Sequence, residues 1–130
     1  MTTPYLNATE LSASQVDGYA TSNELDRVIE KAICGRITVD FTSDADRILD
    51  VDTAAGTEEW RDKFITFTDT TALTAGRDVT FPSEEGPEYI IKNSTAQTLT
   101  LKISGQSGVT IATTVIGRYY YDGTDIVAGP

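Results

Sequence analysis

The sequence predicts a mainly β protein: an antiparallel β-sandwich or jelly-roll-like domain, preceded by an N-terminal arm and one short amphipathic helix. From residue 36 onward, short runs alternate apolar with polar residues, turn residues separate these runs, and no helical pattern interrupts them. The 130 residues fit one domain. Its expected parts are an arm at residues 1–21, a helix at 22–35 and a β-sandwich domain at 36–130.

The N-terminal arm is polar and carries only isolated apolar side chains. They are too sparse to form a core, so the arm is predicted to be disordered or to lie on another surface. The first ten residues have neither a basic region nor an apolar run, and no signal peptide is expected. The apolar residues of the arm are Tyr5, Leu6, Leu11, Val16 and Tyr19.

The helix is predicted from its caps and its apolar spacing. Thr21, Ser22 and Asn23 are suitable N-cap residues, Glu24 completes a capping box, and Gly35 is placed to end the helix. One apolar stripe must be covered by a neighbour. The predicted oligomer or docking interface therefore combines this stripe with three arm residues: Leu6, Leu11, Val16, Leu25, Val28, Ile29, Ala32 and Ile33.

The β domain is predicted from alternating runs separated by turns. Ile37, Val39 and Phe41 alternate with polar residues, and Pro82 ends a later run. Threonine occupies many polar positions, which suits exposed strands and specifies no chemistry. The further runs lie at residues 48–51, 63–67, 78–81, 88–93, 98–103, 108–111, 114–121 and 124–127.

Composition argues against several functional classes. The net charge is −10, and the ten basic residues are scattered, which disfavours binding to nucleic-acid phosphates. The apolar runs are far too short to cross a membrane. No histidine is present, which removes the commonest general base and zinc ligand. Cys34 is expected to be a small buried residue. Neither an enzymatic activity nor a cofactor is predicted.

An acidic stretch from Asp40 to Asp52 could be a calcium loop or a solvated turn. It lacks the glycine and the bidentate glutamate of a calcium-binding loop, so the solvated turn is favoured and no metal is predicted. Asp44 and Asp46 are expected in a turn, and Asp50 and Asp52 are expected to face solvent.

The aromatic residues allow two interpretations. Trp60, Tyr119 and Tyr121 are candidate surface aromatics that, with Tyr120, could stack on a sugar. Trp60 is better placed to cap the core where a loop meets a strand. Since side chains alternate along a strand, Tyr119 and Tyr121 share one face and Tyr120 takes the other, and at least one tyrosine is expected to pack in the core. Asp122-Gly123 is predicted to form the following tight turn.

Motifs at the two ends of the chain occur in the same order in a known class of proteins. Leu11, Ala13, Ser14 and Gln15 are followed by Thr21 and then by Asn-Glu and the short helix. Near the C-terminus, "IKN" (91–93) precedes a threonine-rich strand, a Gly108-Val109 segment and a final Tyr-Asp-Gly-Thr turn (121–124). Together these motifs resemble the small tail, fibre and head-spike virion proteins of tailed bacteriophages.

This resemblance implies a non-enzymatic structural protein of the virion, made in the host bacterial cytoplasm. Its expected partners are copies of itself, as a homotrimer, and the major capsid or other virion proteins, with docking through the arm and helix. Nucleic acid and membrane are not expected partners. The sequence departs from the family at residues 16–18, where a lysine often follows the glutamine, and it stops after the β domain.

The second departure favours capsid decoration or a short head fibre. The alternatives are a tail or baseplate fibre that contacts the host surface, and a carbohydrate-binding β-sandwich module that takes a host surface glycan.

Overall fold

The computed structural model describes residues 18–49, 59–84 and 86–129. These residues contain one α-helix, one 3-10 helix and nine strands. The strands form two mixed sheets, so the predicted mainly β class with one short helix is confirmed. The elements are α1 Gly18–Cys34, β1 Arg36–Asp40, β2 Arg47–Ile48, a 3-10 helix Glu59–Arg61, β3 Phe64–Thr68, β4 Arg77–Phe81, β5 Tyr89–Asn93, β6 Leu99–Ile103, β7 Val109–Ile111, β8 Ile116–Tyr121 and β9 Ile126–Ala128.

The chain winds alternately through the two sheets. Sheet one has the strand order β1-β3-β5-β8-β9, and sheet two has the order β2-β4-β6-β7. Strands β1, β3 and β5 are parallel, as are β2, β4 and β6, so that Arg36 pairs with Phe64 and Phe64 with Ile90. From β1 to β6 the chain therefore makes successive windings, each with one strand in each sheet. Each strand pairs with the equivalent strand of the previous winding, as in a short parallel β-helix.

The predicted antiparallel order applies only to the C-terminal strands. β8 pairs antiparallel with β5 and β9, and β7 pairs antiparallel with β6. The pairings among β1 to β6 are parallel, so an antiparallel jelly roll does not describe this part of the chain. The prediction used alternating burial, which is the same in parallel and antiparallel strands. The parallel strands are joined through the opposite sheet instead of through helices, so no helical pattern reveals them.

Alternate side chains of both sheets belong to one apolar core. Most strands contribute alternate residues to it, as expected of strands with one face covered. Covering a large aliphatic or aromatic side chain contributes about 1.5–3 kcal/mol relative to leaving it in water. The core side chains with almost no exposure include Val39, Leu49, Ile65, Phe67, Val79, Phe81, Ile91, Leu99, Leu101, Ile111 and Ile126.

Asn93 is a polar side chain inside this core, and its hydrogen-bonding groups are all used. Its Nδ2 donates to the carbonyl oxygens of Gln97 (2.8 Å) and Ile111 (2.9 Å). Its Oδ1 accepts from the backbone N–H of Thr95 (2.9 Å) and from the Thr95 hydroxyl (2.7 Å). Because a buried amide is costly unless it is bonded, this side chain fixes the turn after β5 against β7.

The helix differs from its predicted bounds. It begins at Gly18, so residues 21–23 lie inside it and not at its N-terminus, and it ends at Cys34 instead of residue 35. Gly35 does not adopt a positive φ. A Cβ at this position would overlap the Asp62 carboxylate and lie 2.5 Å from the Lys31 carbonyl oxygen. Glycine is therefore required here for close approach and not as a left-handed cap.

The closing hairpin follows the prediction for Asp122-Gly123. Gly123 has φ +97°, and the Asp122 carboxylate accepts the N–H groups of Thr124 and Asp125, each at 2.9 Å. These N–H groups hold the pKa of Asp122 below its ordinary value. The aspartate and glycine thus serve the turn between β8 and β9.

Asp125 joins this hairpin to sheet two. Its carboxylate accepts the N–H of Gly108 at 2.7 Å, the N–H of Ile103 at 3.1 Å and the N–H of Ile126 at 2.8 Å. Partial burial opposes ionisation, but the three N–H donors outweigh it and lower the pKa of Asp125.

Candidate interaction surfaces

The apolar side of the helix that the sequence predicts is only partly covered. Val28 is fully buried, and Leu25 and Ala32 are half-buried. Ile29 is 47% exposed and Ile33 is 66% exposed, so these two side chains form an apolar surface that nothing in the described residues covers. The other predicted docking residues, Leu6, Leu11 and Val16, lie outside the described residues.

The C-terminal end of α1 is bonded to the segment before β3. The Lys31 ammonium contacts the Asp62 carboxylate at 2.7 Å, and Asp62 is almost fully buried. The carbonyl oxygen of Lys31 accepts the N–H groups of Gly35 (2.9 Å) and Lys63 (3.1 Å). These contacts set the direction in which the helix leaves sheet one.

Trp60, a candidate surface aromatic, is in fact fully buried. The Arg61 guanidinium lies 5.0 Å from the centre of the Trp60 ring. The Trp60 carbonyl oxygen accepts a hydrogen bond from the Tyr89 hydroxyl. Burial, with a smaller effect of the nearby Asp62 charge, raises the pKa of Tyr89 far above its ordinary value. The 3-10 helix turns the indole inward, so Trp60 has no face available to a sugar.

The tyrosines of β8 divide as strand geometry requires. Tyr119 is 5% exposed and belongs to the core, so it too is removed from the candidate surface aromatics, and burial raises its pKa. Tyr121 is half-buried on the same side, with its hydroxyl donating to the Gly123 carbonyl oxygen at 2.9 Å. Tyr120 points the other way and is 38% exposed. The three rings therefore do not form one platform.

The outer face of sheet one carries a surface that was not predicted from the sequence. A depression of about 170 Å³ crosses β1, β3, β5 and β8 on this face. Arg36 lies over the Phe64 ring, 5.2 Å from its centre, and Ile116 is 62% exposed. We call this surface the sheet-one groove, and its side chains are Arg36, Phe64, Thr66, Ile90, Lys92 and Ile116.

The groove is cationic on a strongly acidic chain. Neither Arg36 nor Lys92 takes part in an ion pair with another described residue, although the protein has a net charge of −10. Nearby Arg118 lies 3.8 Å from Glu88. A surface with unpaired cations beside apolar side chains is suited to an acidic, partly apolar partner.

The outer face of sheet two is different in character. Thr80, Thr100 and Thr110 lie on it, and Lys102 is 3.6 Å from Asp78. Its one large exposed apolar side chain among the described residues is Ile48. The threonine-rich polar face predicted from the sequence is thus present on sheet two, whereas sheet one has apolar residues on both of its faces.

The acidic turn after β1 bonds to the corresponding turn of the next winding. The Asp44 carboxylate contacts Arg77 at 2.7 Å and Thr74 at 2.5 Å, and Asp46 accepts the N–H of Asp78 at 2.9 Å. The Thr74 hydroxyl, followed by Arg77, lowers the pKa of Asp44. These carboxylates are therefore structural partners of the neighbouring winding and not only solvated groups.

The calcium alternative gains no support from this geometry. Asp40 accepts hydrogen bonds from Thr68 (2.8 Å) and Thr70 (2.9 Å), which lower its pKa. Within the described part of the chain, no three acidic, cysteine or histidine residues are arranged to hold a metal ion. Asp50 and Asp52 lie outside the described residues.

Cys34 is exposed, contrary to the expectation that it is buried. It is the last residue of α1, on the side away from Val28, and its Sγ donates to the Glu30 carbonyl oxygen at 3.4 Å. The apolar spacing predicted the end of the helix close to Cys34, but it did not predict which side of the last turn faces the core.

A second depression, of about 430 Å³, lies where β2, β4 and β6 end. Its walls include Leu49, Phe81 and Ile103, and Glu84 is its only ionisable side chain among the described residues. In the described ranges, no helix is long and apolar enough to cross a membrane.

Known proteins offer no assignment for these surfaces. Comparisons of the chain with protein-family models, with curated proteins and with solved structures found no match. The features that bear on function are the exposed apolar side chains of α1 and the sheet-one groove.

Proposed function

We propose that this chain is a non-enzymatic structural protein of a tailed-bacteriophage virion, in which several copies decorate the capsid or form a short head fibre. The arm and helix attach the protein to the particle, and the β domain projects from it as a β-sandwich-like body. The proposal begins from the terminal motifs that resemble such proteins.

The observation that carries this proposal in the structure is the division of the chain into two unlike parts. A helix with exposed Ile29 and Ile33 precedes a β body in which the buried Asn93 amide is bonded within the chain. The helix presents apolar surface for a neighbour. A protein that attaches at one end and projects at the other has this division.

Particle association tests the proposal. Virions purified on a density gradient should contain the full-length chain, and a chain lacking residues 1–17 should fold yet no longer associate with particles. The truncation leaves α1 intact, so loss of association would be due to the arm. Full association of the truncated chain, or absence of the wild-type chain from purified virions, would contradict the proposal.

A tail or baseplate fibre is the second candidate, because the same terminal motifs occur in tail proteins. Labelling of particles with an antibody against the β domain distinguishes the two: label over the head supports decoration or a head fibre, and label at the tail tip supports the alternative. The carbohydrate-binding module is not favoured, since Trp60 and Tyr119 are buried and cannot stack on a sugar.

A further inference from the structure

Within the described part of the chain, two exposed apolar surfaces carry opposite charges. On α1, residues Asp26, Ile29, Glu30 and Ile33 follow the i, i+3, i+4, i+7 spacing and form one stripe, which we call the helix stripe. All four are exposed, and neither acid is ion-paired within the described residues. The sheet-one groove presents Phe64, Ile90 and Ile116 beside two unpaired cations.

We infer that copies of this chain associate by placing the helix stripe of one copy in the sheet-one groove of the next. The inference rests on the oligomeric part of the proposed function and names the surfaces involved. Apolar side chains would meet apolar side chains, and Asp26 and Glu30 would approach Arg36 and Lys92. Electrostatic complementarity of this kind selects partner and orientation, while the apolar contact supplies most of the affinity.

The dimensions of the two surfaces agree. A helix with its side chains is about 10–12 Å wide, and two strand spacings span about 10 Å. The groove crosses β1, β3, β5 and β8, and its apolar side chains Phe64, Ile90 and Ile116 lie on the last three, which are consecutive in sheet one. Ile29 and Ile33 are one helical turn apart, about 6 Å along the axis. One turn of helix can therefore bring both isoleucines over the three central strands.

The contact is between copies and not within one chain. The Lys31–Asp62 ion pair and the hydrogen bond from the Lys63 N–H to the Lys31 carbonyl oxygen hold the last turn of α1 against the segment before β3. In that position Val28 faces the protein and Ile29 and Ile33 face away from it. The helix stripe of a chain is thus unavailable to its own groove.

The contact also joins two different surfaces. A groove placed against a second groove would oppose Arg36 and Lys92 to like charges, and two helix stripes would oppose their acids. Pairing stripe with groove avoids both conflicts. A contact between unlike surfaces generates a ring when the rotation closes, and a ring of copies fits the oligomer of the proposed function.

The test uses purified full-length chain and two double variants. The helix variant carries Ile29→Ser and Ile33→Ser, and the groove variant carries Arg36→Glu and Lys92→Glu. Ile48→Ser is the matched control, because Ile48 is 73% exposed but lies on sheet two. Circular dichroism and thermal unfolding confirm that each variant is folded, and sedimentation velocity over a concentration series gives the oligomeric state.

The wild type and the control should assemble, and each double variant alone should be monomeric. A mixture of the two variants should form a one-to-one dimer, since the intact stripe of the groove variant can meet the intact groove of the helix variant. A wild-type monomer at every concentration, variants that assemble like the wild type, or a mixture that stays monomeric would overturn the inference.

A charge exchange tests the pairing itself. Adding Asp26→Lys and Glu30→Lys to the groove variant should restore assembly, because each interface then again joins opposite charges. No gain over the groove variant would contradict the pairing. All these measurements are made without particles, so failure of self-association leaves the virion role testable, and failure of particle binding leaves the stripe–groove contact testable.

Discussion

Asn93 joins three segments of the chain through one buried amide. Replacing it with leucine would keep the size of the side chain, leave the Thr95 N–H without its acceptor, and take one donor from each of the Gln97 and Ile111 carbonyls. Since each unsatisfied buried group is costly, we expect the free energy of unfolding to fall by about 2–4 kcal/mol. Urea unfolding measures this loss.

Ser94 provides the control for that experiment. It is the exposed neighbour of Asn93, and Ser94→Ala should change the free energy of unfolding by less than about 0.5 kcal/mol. If Asn93→Leu were as stable as Ser94→Ala, the amide network would not be a determinant of the fold.

The Asp125 carboxylate links the closing hairpin to sheet two, and we expect the stability that this link contributes to be lost in acid. Its pKa is lowered in the folded protein, so its contribution is complete above the ordinary aspartate pKa and is lost as pH falls through the folded value. Asp125→Asn should therefore destabilise the protein at neutral pH and reduce the loss of stability on acidification. Unfolding curves between neutral and acidic pH measure both effects.

Glu84→Gln is the charge-matched comparison for Asp125→Asn, because Glu84 is exposed and accepts none of the hydrogen bonds described above. Equal pH profiles for the two variants would show that Asp125 is not the acid-sensitive group.

At the scale of elements, the Lys31–Asp62 ion pair joins α1 to the segment before β3 through side chains that are 19% and 4% exposed. Lys31→Met would leave the Asp62 carboxylate without its cation in a nearly buried position. We expect local destabilisation of α1 by about 1–2 kcal/mol, smaller than for a fully enclosed pair because the Lys31 side chain is 19% exposed. Amide hydrogen exchange should accelerate in α1 and not in β3, β5 or β6.

Asn23→Ala is the control for this helix measurement, since Asn23 is an exposed residue of the same helix and is not one of the four helix-stripe residues. Unchanged exchange in Lys31→Met would mean that the ion pair does not hold the helix in place.

The positions of the strands could be predicted from the sequence, and the direction of pairing could not. Alternation identified every strand from β1 to β9, because half-covered strands bury every second residue whatever their neighbours. β1 and β3 pair in parallel because the chain passes through sheet two, as β2, before it returns to sheet one. No local sequence pattern predicts this path.

The candidate site was only partly predictable for the same reason. The helix stripe residues Ile29 and Ile33 were identified by spacing, but the groove joins residues from β1, β3, β5 and β8 that meet only through the winding. A local signal did exist: Phe64 and Ile90 are apolar at positions where the strand alternation calls for polar residues. Trp60 had two interpretations, and the favoured one, that it caps the core, agrees with its burial. Cys34 was wrongly expected to be buried, because burial at a helix end depends on tertiary contacts.

For the whole molecule, both sheets share a single core, so its C-terminal hairpin should be essential. Removing residues 122–130 takes away Ile126, the Asp125 link and the partner strand of β8. We expect the truncated chain to lose its cooperative thermal transition, because one core unfolds as a unit. Calorimetry compares it with a chain lacking only residue 130, which keeps the hydrogen bond from the Gly129 N–H to the Arg118 carbonyl oxygen and should unfold like the wild type.

The parallel winding has a consequence for how such a molecule can change in length. Because β3 lies on β1 and β5 lies on β3 in matching register, a duplicated winding inserted between them would meet the same neighbours on either side. Gene duplication could therefore lengthen the stack of parallel strands by whole windings, while α1 and the closing hairpin stay unchanged.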